Sequence, residues 1–214
     1  MKQNIISAVE SNKLIAIVRG AAPNKCVRVA QALYDGGFRL MEITYDQKHP
    51  ESWPETAEAI GAVAKAFAGK MYIGAGTVTC TELVELTAKV GGQFIISPDT
   101  NVDVIRRTNE LGMVSIPGAL TPTEILTAHN AGADFVKLFP AGTLGTAYLK
   151  AVKAPISHVK MLVVGGVDEK NIASFLAAGA DGAGIGGSLV NRALVDADRY
   201  DQITLNARAI LAAI

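Results

Sequence analysis

The chain has 214 residues, half of them apolar, and its 20 basic and 20 acidic side chains cancel to a formal charge of zero. That length suits one domain with a continuous core, and balanced charge without a basic stripe excludes the concentrated positive surface that nucleic-acid binders need. No apolar stretch approaches the roughly 20 residues of a membrane span. The apolar run nearest the N-terminus, Leu14–Val18, is too brief for the core of a secretion signal. Cys26 and Cys80 stand apart, without the spacing of a disulfide framework or a structural zinc site. The expectation is a soluble, cytoplasmic protein forming one domain over residues 1–214, with no nucleic-acid or membrane partner.

An extra helix around Ile5–Ser11 precedes eight short strand-like runs: Leu14–Val18, Leu40–Thr44, Met71–Ala75, Phe94–Ser97, Met113–Ile116, Phe135–Leu138, Met161–Val164 and Ala183–Ile185. Each is too short and too uniformly apolar for a half-exposed hairpin strand, and reads as buried parallel strand. Amphipathic stretches of helical length lie between them, among them Lys25–Tyr34, Glu55–Phe67, Thr81–Lys89, Val102–Leu111 and Ile172–Ala178. Thr79–Glu82 and Thr121–Glu124 carry the capping-box pattern, the second with proline at the first helical position. Asp168 is placed to cap a helix over Glu169–Ala178. Gly36-Gly37, Gly91-Gly92, Gly112, Gly132 and Gly179 fall where a helix must stop and turn back into a strand. Asn130–Asp134 and Ala177–Asp181 read as one helix-to-strand turn used twice. Regular strand–helix units with no domain break point to the α/β class and a (β/α)8 TIM barrel, with an open doubly wound sheet as the rival.

In such a barrel the chemistry collects at the C-terminal ends of the strands. Those positions hold Arg19, then Glu42 and Thr44, Gly76-Thr77, Ser97-Pro98 and Pro117-Gly118. Lys137, Gly165-Gly166 and Gly186-Gly187-Ser188 follow on the last three strands. Lys137 has large apolar neighbours on both sides, in Phe135-Val136-Lys137-Leu138-Phe139-Pro140. Desolvation disfavours its ammonium form, so it can become a neutral amine able to attack a carbonyl. The plain alternative is a lysine reaching from an edge strand to solvent. Glu42, also among apolar residues, suits a proton-transfer group with a raised pKa, or else a partner in a buried ion pair with Lys137. The glycine turns after the last two strands suit phosphate held on backbone N–H groups, or simply tight turns. Gly182–Gly187 also fits G-x-G-x-x-G, but its glycines lie within the last strand, so a dinucleotide site is discarded. His49, His129 and His158 form no ligand set or triad and read as surface residues, His49 nearest the mouth. Trp53 and the Pro50–Pro54 loop suit either a cover for the site or a subunit contact.

Taken in order, Ile15–Gly20, Glu42-Ile43-Thr44, Gly74–Val78, Ile96-Ser97-Pro98, Pro117-Gly118, Val136–Pro140, Gly165-Gly166-Val167 and Gly186-Gly187-Ser188 resemble the 2-keto-3-deoxy-6-phosphogluconate aldolase family. That family includes the 4-hydroxy-2-oxoglutarate (KHG) and 2-keto-3-deoxy-6-phosphogalactonate aldolases. The resemblance implies a class I, metal-free and cofactor-free lyase that releases pyruvate and an aldehyde such as glyceraldehyde 3-phosphate or glyoxylate. By the same match Lys137 forms the Schiff base and Glu42 transfers protons. Arg19, Thr77 and Pro98 line the pyruvyl end, and Gly165, Gly166, Gly186, Gly187 and Ser188 take the phosphate. It also implies a homotrimer. Gluconate-type members typically have arginine four residues after the glutamate and threonine before the paired glycines, where this chain has Asp46 and Val164. The galactonate-type branch lacks that arginine, uses the strand-one arginine and has valine before the glycines. Two other readings stand beside the aldolase: a phosphate-binding isomerase or epimerase with Glu42 as general base, and a metabolite-binding barrel without turnover.

Overall fold

The structure, a computed structural model, describes residues 2–214. After α1 (Lys2–Asn12), strands β1 (Leu14–Val18), β2 (Leu40–Thr44), β3 (Tyr72–Gly76), β4 (Phe94–Ile96) and β5 (Val114–Ile116) alternate with helices. These are α2 (Pro23–Asp35), α3 (Trp53–Ala66), α4 (Thr81–Lys89) and α5 (Val102–Glu110). The second half runs β6 (Gly118–Ala119), α6 (Pro122–Asn130), β7 (Val136–Leu138), α7 (Ala141–Lys153), β8 (Met161–Val164), α8 (Ile172–Ala177) and β9 (Gly182–Ile185). Two helices close the chain, α9 (Arg192–Asp196) and α10 (Tyr200–Leu211).

Every strand pairing is parallel, in the order β5-β4-β3-β2-β1-β9-β8-β7-β6. β5 and β6 are two halves of one strand broken at Pro117, which has no N–H for the ladder. Ile116 accepts from the Ser97 amide at 3.2 Å on one side, and Pro117 accepts from the Lys137 amide at 2.8 Å on the other. This broken strand therefore closes the sheet into the expected α/β barrel and runs slightly further than the apolar run Met113–Ile116 implied.

The two helix-to-strand turns are the same device, as their sequences suggested. Asp134 and Asp181 each return a backbone N–H to the strand ahead, to Ser115 and Met161, and each carboxylate accepts that same residue's amide at 2.8 and 2.7 Å. Thr121 and Glu124 form the capping box. Two capping expectations are corrected. Cys80, not Thr79, holds the cap position of α4, and Thr79 spends its hydroxyl on Gln47. Asp168 caps a preceding turn through the Lys170 amide, so α8 starts only at Ile172, after Asn171.

Side chains alternate along the strands. Leu14, Ala16, Val18, Met41 and Ile43 face the helices, whereas Ile15, Leu40, Phe94, Ile96, Val114, Ile116, Phe135 and Leu162 pack inside the barrel against Ile5, Ala8 and Val9 of α1. The N-terminal helix thus plugs the barrel floor, and only the C-terminal end of the strands is open. Closure leaves no slack at Gly118, where an added Cβ would lie 2.4 Å from the Pro98 backbone. Gly118→Ala is expected to lower stability by about 2–3 kcal/mol through overpacking against immobile backbone, read as a lower urea midpoint with unchanged slope.

Candidate active site

Inward alternation lifts the chemistry above the apolar floor. Leu40 belongs to the floor, so Glu42 and then Thr44 are the next inward positions of β2. Lys137 pairs in register with Gly118 and Leu162. Glu42 is 2% exposed and Lys137 6%. The Glu42 carboxyl occupies space left by Gly76, where a Cβ would come within 2.5 Å of its Oε1. Its Oε2 has no hydrogen-bond partner. Burial pushes the Glu42 pKa up to about 7, against the opposing pull of Lys137 and Arg19. Burial also lowers the Lys137 ammonium below the usual lysine range; Glu42 and Asp99 oppose that shift and Arg19 adds to it.

Among the described residues, the ion pairs join other partners, and none links Glu42 to Lys137. The buried-ion-pair alternative is therefore absent, and so is the edge-strand lysine, since β7 lies between β6 and β8. Lys137 Nζ instead sits 4.9 Å from the Phe139 ring centroid. A desolvated amine and a carboxyl that titrates near neutrality thus share one mouth, which is the pairing that carbonyl addition and proton transfer require.

Above them the mouth divides into two lobes. A smaller one of about 390 Å³ is lined by Gly165, Gly166, Gly186, Gly187 and Ser188, together with Phe139 and Val164. Gly165 and Gly166 have φ of 86° and 73°, conformations that glycine adopts freely. Gly142 at the start of α7 packs on them, its amide bonded to the Gly165 carbonyl at 2.7 Å. A larger lobe of about 900 Å³ runs over the ends of β1 and β2, past Thr44, Asp46, Thr77 and His49 to Arg192. Ile17, Arg19 and Gly187 line both lobes. The Arg19 guanidinium lies beside Gly186, 3.5 Å from where a Cβ would be.

Of the strand-end residues expected from the sequence, Arg19, Thr77, Gly165, Gly166, Gly186, Gly187 and Ser188 line the lobes; Glu42, Lys137 and Pro98 line neither, the first two being buried and Pro98 packing its backbone against Gly118. The Pro50–Pro54 segment borders the larger lobe through Ser52: Pro50–Ser52 form a 3₁₀ turn, and the Trp53 indole donates to the Asp46 carbonyl at 2.9 Å. His129 and His158 meet edge to face, 5.1 Å between centroids, away from the mouth residues. Sequence reasoning passed over Asp99 and Phe139. Asp99 directly follows Pro98 at the end of β4, and partial burial raises its carboxyl while Lys137 draws it back; the strand-end rule would have found it. Among the described residues no three His, Cys, Asp or Glu side chains cluster as metal ligands would.

The sequence profile of the KDPG and KHG aldolases matches residues 5–205. The chain belongs to the KDPG and KHG aldolase family. It is 40% identical over 177 residues to 2-dehydro-3-deoxy-6-phosphogalactonate aldolase of Escherichia coli (strain K12), covering 82% of this chain and 83% of that one. With the KHG/KDPG aldolase of the same organism it shares 30% over 209 residues, 97% of this chain and 94% of the relative. A solved native KDPGal structure superposes with a TM-score of 0.85 at 36% identity, covering 94% of this chain and 93% of that one.

The raised Glu42 pKa has a consequence for stability. Because the folded value, about 7, lies above the ordinary 4.5, the folded protein holds this proton more tightly than the unfolded chain. That contribution is complete below about pH 4.5 and is lost as pH rises through about 7. Glu42→Gln mimics the neutral form, so its stability relative to wild type is expected to increase between pH 4 and pH 8, by on the order of 3 kcal/mol. Parallel urea titrations of the two proteins across that range give the difference directly.

Proposed function

We propose that the chain is a class I aldolase cleaving a 2-keto-3-deoxy-6-phospho sugar acid to pyruvate and glyceraldehyde 3-phosphate, with the galactonate-type acid as its main substrate. The gluconate epimer, and 4-hydroxy-2-oxoglutarate giving pyruvate and glyoxylate, are the lesser members of the same set. The observation that carries the reading is the buried pair Lys137 and Glu42, shifted toward neutrality from opposite sides without contact. The galactonate preference draws support from relatives in Escherichia coli and Rhizobium meliloti, each 40% identical and named for that substrate or given it as probable. Asp46 and Val164, which depart from the gluconate-type pattern, agree with it.

The neutral Lys137 amine adds to the C2 carbonyl, and the carbinolamine hydroxyl leaves as water with the Glu42 proton, giving a protonated imine and the Glu42 carboxylate. That cation draws the electron pair of the C3–C4 bond, leaving an enamine in place of a carbanion. Glu42 as carboxylate takes the C4 hydroxyl proton as the bond breaks and the aldehyde departs; the resulting acid returns a proton to C3. Water then releases pyruvate and restores the amine. Arg19 and Thr77 hold the substrate carboxylate, with Pro98 shaping the pyruvyl end from behind. The phosphate lies in the smaller lobe on the backbone N–H groups of Gly165, Gly166, Gly186 and Gly187 and the Ser188 hydroxyl. The protein works in the cytoplasm as a homotrimer; Leu120 and Leu126, each more than a third exposed at and just before α6, supply apolar surface for that assembly.

Borohydride reduction after incubation with pyruvate is expected to fix a pyruvyl adduct on Lys137, located by peptide mass spectrometry. Lys137→Arg keeps the charge but cannot form the imine, so adduct and cleavage of the galactonate-type acid are both expected to fall at least about a thousandfold. Cleavage retained in that variant overturns the imine mechanism. A faster rate on the gluconate epimer overturns the substrate preference alone.

A further inference from the structure

We propose that Gln47 is a positioning residue of the active site, a clamp that holds Thr77 in a strained backbone conformation so that its hydroxyl faces the pyruvyl carboxylate. This rests on the role given to Thr77 above. Thr77 is a β-branched residue at φ 57°, in the left-handed region that such residues rarely enter. A conformation of that kind persists only where its surroundings enforce it.

The enforcing contacts come from the segment after β2. The Gln47 Nε2 group donates to the Thr77 carbonyl at 2.8 Å, and its Oε1 accepts from the Thr79 hydroxyl at 3.0 Å. One side-chain amide therefore grips both sides of the turn after β3. Its own base is fixed: the Trp53 indole donates to the Asp46 carbonyl at 2.9 Å, and the Asp46 carboxylate accepts the Lys48 amide at 2.9 Å. On either side of Thr77 the backbone is tied down, with the Tyr45 amide bonded to Gly76 at 3.0 Å and the Val78 amide to Ile96 at 3.2 Å. Strain is thus concentrated at Thr77, at the point Gln47 holds. Thr77 and Gln47 both line the larger lobe beside Arg19.

The test is borohydride trapping of Lys137 at graded pyruvate concentrations, with wild type, Gln47→Ala, Thr77→Gly and the double variant. Gln47→Ala is expected to raise the pyruvate concentration for half-maximal trapping about tenfold, with the maximal trapping rate changed less than twofold. Gln47→Glu, which cannot donate to the Thr77 carbonyl, is expected to behave the same way. Glycine adopts positive φ without a clamp, so adding Gln47→Ala to Thr77→Gly is expected to change half-saturation less than twofold. Equal effects of Gln47→Ala in both backgrounds, or none in either, overturn the proposal. Amide exchange at Val78 separates two modes of failure. Faster exchange in Gln47→Ala with unchanged trapping, alongside an inert Thr77→Gly, means the clamp exists but Thr77 does not bind the carboxylate. Unchanged exchange and unchanged trapping mean there is no clamp.

Discussion

Desolvation at the open end of a sealed barrel is the constraint on which this site depends. Glu42 and Lys137 carry opposite charges, and in water each would be fully ionised. Inside the barrel both are almost wholly buried, and burial is the largest influence on each, displacing the carboxyl upward and the ammonium downward. Direct contact would reverse this, since a close ion pair favours both charged forms. The unpartnered Glu42 Oε2 and the seating of Lys137 Nζ near the Phe139 ring keep the two groups apart while they share one field.

That arrangement needs an interior shaped to a fraction of an ångström, and the inner wall achieves it with glycine. Gly74 makes way for Phe94 in the floor, Gly76 for the Glu42 carboxyl one step higher, and Gly184 for Val164 and Ile17 beneath the smaller lobe. Each is a place where protein interiors, packed as densely as molecular crystals, have no room for a methyl group. The floor has the complementary task. Ile5, Ala8 and Val9 of α1 join the apolar interior residues and exclude water from below, so the dielectric around Glu42 and Lys137 is low on every side but one.

Much of this was legible in the chain because parallel barrels write their rules locally. β1, β2 and β8 appear over the same residues as their apolar runs, since strands buried on both faces are marked by composition alone. Capping chemistry was legible only where side chain and backbone agree in register, as at Thr121; the same pattern at Thr79 was misleading because its hydroxyl bonds Gln47 across the site. The desolvation of Glu42 and Lys137 was legible from their apolar neighbours. The absence of an ion pair between the two charged groups was not, because it depends on distances between strands far apart in sequence. Nor was the larger lobe, which lies between the segment after β2 and the turn before α9. The left-handed backbone at Thr77 has no local signature either, since threonine is among the residues least suited to it.

In the proposed reaction Arg19 connects these features into a cycle. It lines both lobes, and its charge pushes Lys137 toward the neutral amine while pulling Glu42 toward the carboxylate. Both biases favour the first step, in which an amine must attack and a base must be available. A substrate carboxylate seated against Arg19 neutralises that field once it is bound. The positive charge on the imine nitrogen then meets less repulsion than the free ammonium did, and the Glu42 proton is held more firmly for delivery to the enamine. An anionic keto acid would thus bring with it the electrostatic change that carries the site from nucleophile to electron sink, and a neutral carbonyl compound of the same size would not.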